Sequence, residues 1–234
     1  MDAAARLAAY FKTHPANIGK VVDFDAGAHR LYHFDFTAAN HDLDADTFSD
    51  TVKFSRWVNK KLSEHDCKYG VGGYLEHRTI YARSAHFDTD DEPRRLHLGV
   101  DIWANVGTLV YSPLDGIVHS YQDNNNFGDY GPTIILQHQL DDLTLYTLYG
   151  HLSRESLDGL YVGKSVSKNE RIATFGVIEE NGHWPPHLHF QLIFDMQGKL
   201  GDYPGVCRYS EKERYQQNIP DPQLILKFPK AVNG

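Results

Sequence analysis

The sequence predicts a mainly β fold, with an antiparallel sheet or sandwich over residues 86–200 preceded by a small α+β region at residues 1–85. Three observations carry this expectation. Beyond His86, six apolar runs of strand length alternate with Gly, Pro, Asn and Asp turn signals. No segment between residues 97 and 195 keeps a helical period. Residues 1–85 instead mix helical and alternating patterns.

Taken in order, the Ala-rich stretch after Met1 reads as an amphipathic helix that ends before Pro15. Tyr32, Phe34 and Phe36 alternate with His33 and Asp35, the pattern of a half-buried strand. Phe48, Val52, Ser55, Val58 and Leu62 recur at helical spacing, which predicts a helix from about Asp46 to Glu64 with Asp44 or Asp46 as its cap. Tyr74 to Arg83 alternates again. The strand-length runs are then Thr108–Tyr111, Gly116–Tyr121, Thr133–Gln137, Thr144–Tyr149, Arg171–Phe175 and His189–Phe194. A tail, residues 201–234, is rich in Pro and Tyr and is expected to pack on the body.

With 234 residues the chain suits one substantial domain with a smaller appendage, and its core needs no disulfide. Cys67 and Cys207 lack the CxxC spacing of a thiolate zinc site or redox motif. The net charge is −8 with both signs interspersed, so no basic track is available for nucleic acid. No run of about 18 apolar residues exists to span a bilayer. The N-terminus lacks the basic-then-apolar order of a secretory signal, so the sequence as written is expected in the cytoplasm, and outside it only if a leader was removed.

The chemistry concentrates in three segments: His97-Leu-Gly-Val-Asp101, Tyr149-Gly-His151 and His187-Leu-His189. In a strand, residues i and i+2 share a face, so His187 and His189 point into one groove. His97 and Asp101 are the natural partners for a metal. In an extended strand they would stand about 13 Å apart, so the chain must bend between them, and Gly99 permits the bend. Two neutral imidazoles and one carboxylate leave a catalytic metal with an open position and an acidified water. His151 and whichever of His187 and His189 is not a ligand are left to move protons or stabilise an oxyanion.

These segments, in this order, resemble the lysostaphin and LytM-type zinc metallopeptidases, whose domain cuts peptide cross-links of bacterial cell walls. Ser112-Pro-Leu-Asp-Gly-Ile-Val118 resembles that family's Pro-x-x-Gly-x-Val hairpin, and Gly163-Lys-Ser-Val166 its Gly-x-x-Val turn. The resemblance implies that His97, Asp101 and His189 bind one Zn2+ per chain and that His151 and His187 form the catalytic pair. It also implies a β-sandwich with a groove, walled by the loops Asn124–Tyr130 and Glu179–Trp184. Tyr149, Asn181, His183 and Trp184 are then candidates for touching a peptide substrate, with peptidoglycan-derived peptides as the class the resemblance implies. One alternative is a non-catalytic relative that activates another wall hydrolase; such relatives lack metal ligands, whereas all five positions are filled here. Another is a metal-free histidine phosphocarrier, whose related sandwich also carries His-x-Gly-x-Asp; the His187-Leu-His189 pair argues against it.

Overall fold

The computed structural model describes residues 2–88 and 92–229. Its centre is an eight-stranded sheet with the order β1-β2-β4-β11-β8-β7-β6-β9. These strands are β1 (Leu31–His33), β2 (Tyr69–Gly72), β4 (Val100–Trp103), β6 (Gly116–Asn124), β7 (Gly131–Leu140), β8 (Leu143–Gly150), β9 (Ser165–Val166) and β11 (His187–Ile193). Every pair is antiparallel except β1 with β2. Two ribbons complete the β structure: β5 (Leu109–Tyr111) with β10 (Arg171–Thr174), and β3 (Leu96–His97) with β12 (Val206–Cys207). The fold is thus mainly β as expected. The layer over one face of the large sheet is the β5/β10 ribbon with helices α1 (Ala3–Thr13) and α5 (Gln223–Leu226), not a second sheet of similar size. Among the described residues no helix is long and apolar enough to cross a membrane.

The two faces of the sheet divide the sequence by its period of two. Val100, Ile102, Leu188, Phe190 and Leu192 enter the main core with Ile134 and Leu136. The alternate residues Asp101, Trp103, His187, His189 and Gln191 are also buried, on the opposite side. An aromatic cluster flanks that side, built from Phe34, Phe36, Phe54, Trp103 and Trp184.

Helix α1 stops at Thr13, with Pro15 opening a single 3-10 turn. The predicted helix from Asp46 to Glu64 is in fact two, α2 (Ala45–Ser49) and α3 (Thr51–Glu64). Asp44 caps the first through the Thr47 N–H at 2.8 Å. Asp50 breaks the run by capping the second, accepting from the Val52 and Lys53 N–H groups. The alternation over Tyr74–Arg83 does not form a strand. Leu75 takes φ +58°, residues 75–78 exchange backbone bonds with residues 95–97, and a 3-10 turn follows at Thr79–Arg83. Helix α4 (Lys212–Asn218) lies in the tail, which joins the body through β12 and the buried Ile219.

Candidate metal centre

Register fixes the site. Strand β11 pairs with β4 so that His189 faces Asp101 and His187 faces Trp103, while β2 sets Gly72 against Asp101 and β8 sets Gly150 against His189. Asp101 and His189 are therefore cross-strand neighbours on one face. His97 arrives from β3 across the bend at Leu98-Gly99, and its Nε2 stands 3.2 Å from Asp101 Oδ1. The remaining separations are 3.0 Å from His97 Nε2 to His189 Nδ1 and 3.1 Å from His189 Nδ1 to Asp101 Oδ1.

The outer hydrogen bonds settle which atoms carry protons. His97 Nδ1 lies 2.9 Å from the Gly73 carbonyl, which only accepts, so Nδ1 donates and Nε2 is a bare lone pair. Gln191 donates its amide to the Pro204 carbonyl, which turns its Oε1 toward His189 Nε2 at 2.9 Å. His189 therefore carries its proton on Nε2 and presents Nδ1 bare. Burial pushes the His97 imidazole down to about 4. Burial would raise Asp101, but His97 and Arg78 outweigh it and hold the carboxyl well below its usual range. In this hydrogen-bond arrangement three lone pairs converge with no proton between them, which calls for a cation. Their spacing suits a tetrahedral ion with bonds of 2.0–2.1 Å, whose ligand atoms stand about 3.3 Å apart. Three ligands leave a fourth position open. Among the described residues these are the ones that group as a possible metal site.

His151 and His187 lie beside the triad with ring centroids 4.1 Å apart. His151 adopts φ +63°, a strained backbone for a non-glycine residue, and its Nδ1 donates to the Asn181 carbonyl at 2.7 Å. His187 donates from Nδ1 to the Pro185 carbonyl at 2.8 Å and stacks on Trp103 at 4.0 Å. Both keep Nε2 as a free lone pair. Burial lowers both rings, His187 to about 4, and the neighbouring His187 presses His151 down further. The pair is consequently suited to holding one proton at a time.

A cavity of about 160 Å3 opens onto Asp101, His151, His187 and His189, with Tyr81, Tyr130 and Trp184 among its walls. The sequence-predicted groove residues take different places. Trp184 lines this cavity. Asn181 is buried, and its side chain holds both the N–H and the carbonyl of Trp184 while its own carbonyl fixes His151. His183 is exposed and stacks on Phe127. Tyr149 packs in the main core against Phe190, on the other face of the sheet, and does not line the cavity.

Residues 95–200 match peptidase family M23. The matched segment contains His97, Asp101, His151, His187 and His189. The peptidoglycan DD-endopeptidase ShyA of Vibrio cholerae is 33% identical over 119 residues, which cover 47% of this chain and 24% of that protein. A solved zinc-containing peptidase from Vibrio cholerae is 28% identical, covering 42% of this chain and 27% of the other with a TM-score of 0.34. The catalytic domain of lysostaphin from Staphylococcus simulans is 22% identical, covering 69% of this chain and 97% of that one with a TM-score of 0.40. The chain therefore spans about a quarter of the length of the two Vibrio relatives.

Several residues at this centre carry roles that the sequence motifs did not single out. Trp103 and Gln191 follow Asp101 and His189 by two positions on the same strand faces, so extending the period of two would have found them. Gly73 and Arg78 lie upstream of the matched segment and carry no local signal. Arg78 is wholly buried and pairs with Asp101 Oδ2.

Proposed function

We propose that this chain is a zinc-dependent endopeptidase or amidase that hydrolyses short peptides, with peptidoglycan cross-links or wall-derived peptides as the substrate class. The observation that carries this reading is the convergence of three bare lone pairs, from His97, Asp101 and His189, beside two further imidazoles with free Nε2 atoms. The M23 match supports peptide hydrolysis, and the similarity to the peptidoglycan DD-endopeptidase ShyA supports the wall-derived substrate.

His97, Asp101 and His189 would hold the zinc, which would supply a Lewis acid for the scissile carbonyl and an acidified water. The chain's own part is proton management. His151 or His187, neutral and bare at Nε2, accepts the proton of the attacking water, and the resulting imidazolium returns it to the leaving amine or faces the oxyanion. Their 4.1 Å separation disfavours double protonation, so one ring remains neutral while the other is charged. Trp103 and Pro185 hold His187, and Asn181 holds His151, which limits reorganisation during the reaction.

The test is metal analysis coupled to digestion of purified muropeptides. Asp101→Ala and His189→Ala should lose the metal. His151→Ala should keep it and lose about 100-fold or more in rate. A wild-type protein that contains no zinc, or a metal-loaded one that cleaves no muropeptide or peptide, overturns the reading.

A further inference from the structure

Resting on the metal site proposed above, we infer that Arg78 is a positioning residue that holds Asp101 in one-oxygen coordination and so keeps the fourth metal position open. The carboxylate of Asp101 divides its two oxygens. Oδ1 faces His97 Nε2 and His189 Nδ1 at 3.2 and 3.1 Å, while Oδ2 accepts from Arg78 Nη1. A carboxylate binds a metal through one oxygen or through both, and the second mode fills the place that a catalytic site reserves for water or substrate. The charge-assisted bond to Arg78 engages Oδ2 and opposes its rotation onto the ion.

Arg78 is itself tightly held. Its side chain is wholly buried, Nε donates to Glu76 Oε2 at 2.7 Å, and Nη1 also reaches the Tyr81 hydroxyl at 3.1 Å. Phe36 lies under the guanidinium at 5.1 Å. Glu76 is fixed in turn by the Phe36 N–H at 3.1 Å. The guanidinium sits over Gly72, where an added Cβ would stand 2.5 Å from Arg78 Nη2. Arg78, Glu76 and Gly72 all precede residue 95, so this control is contributed by the N-terminal region and not by the M23 segment.

Cobalt substitution tests the inference apart from activity, because the visible spectrum of Co2+ reports coordination number. Wild-type protein should bind one Co2+ with the intense absorption of a four-coordinate site. Arg78→Met should still bind one Co2+, with weaker and shifted absorption as Asp101 closes onto the ion, and Arg78→Lys should restore part of the wild-type spectrum. Gly72→Ala, which displaces the guanidinium without removing its charge, should move the spectrum in the same direction by less, and it decides the matter if Arg78→Met does not fold. A wild-type spectrum in a folded Arg78→Met or Gly72→Ala protein overturns the role of Arg78 and leaves the metal site standing. Failure of the wild type to bind Co2+ removes the metal site and this inference together.

Discussion

Gly99 shows how little latitude a single residue has at this centre. A Cβ there would stand 2.6 Å from both Cε1 and Nε2 of His189 and 2.8 Å from the Phe190 carbonyl. The bend that brings His97 to Asp101 therefore also needs a bare backbone under the His189 ring. Gly99→Ala should cost about 1–3 kcal/mol of stability through overpacking and should weaken zinc binding, because the cheapest relaxation is movement of His189. Denaturant unfolding and a zinc titration check both, and unchanged zinc affinity would show that the ring does not yield. Spacing pointed to His97, Asp101 and a member of the His187-Leu-His189 pair as ligands, but the tautomers were beyond its reach. They depend on the Gly73, Asn181, Pro185 and Gln191 contacts, which are made across the fold. Tyr149 illustrates the converse. The resemblance made it a groove candidate, yet Tyr149 faces the core from the penultimate position of its strand, and His151 beyond it turns left-handed.

At the scale of elements, apolar runs of strand length marked β6, β7, β8 and β11, because a strand buried on both faces between Gly and Pro turns leaves a local signature. The helix from Asp46 to Glu64 was legible except for its break. Asp50 sits within a continuous helical period, and only its capping bonds to Val52 and Lys53 reveal that α3 starts afresh there. Tyr74–Arg83 misled for a different reason: its apolar residues alternate because they contact two separate clusters around a turn, not because they share a strand. Helix α3 reaches the metal centre through Phe54, whose ring lies 5.8 Å from Trp103, the stacking partner of His187. Asp50→Ala removes both capping bonds and should cost about 1 kcal/mol, lowering Tm by roughly 2–4 °C for a chain of this size. Turnover should stay within about twofold, since the cap does not alter the Phe54 contact. A larger loss of turnover at unchanged zinc content would mean that the α3 register governs Trp103 directly.

The whole molecule assembles its centre from three stretches: the segment that matches M23 supplies His97, Asp101, His151, His187 and His189, the preceding region supplies Gly73 and Arg78, and the following stretch brings Pro204 against Gln191. Closing those stretches over the sheet buries neutral histidines, and their protonation couples folding to pH. His138 isolates the effect, because it lies away from the metal ligands, donating from Nδ1 to the Asp115 carbonyl and accepting from Thr147 at Nε2. Burial lowers its folded value to about 4, against about 6.5 in the unfolded chain. Above pH 6.5 neither state binds the proton and His138 has no pH-linked effect. As pH falls below 6.5 the unfolded chain is protonated first, so stability declines, and the loss is complete near pH 4, where the folded ring also charges. The full difference amounts to about 3 kcal/mol. Unfolding of metal-stripped protein should therefore show a stability curve that falls more steeply between pH 6.5 and 4 in the wild type than in His138→Gln, which does not titrate. Parallel curves for the two proteins would show that the buried ring takes up its proton without penalty, and that acid sensitivity arises elsewhere.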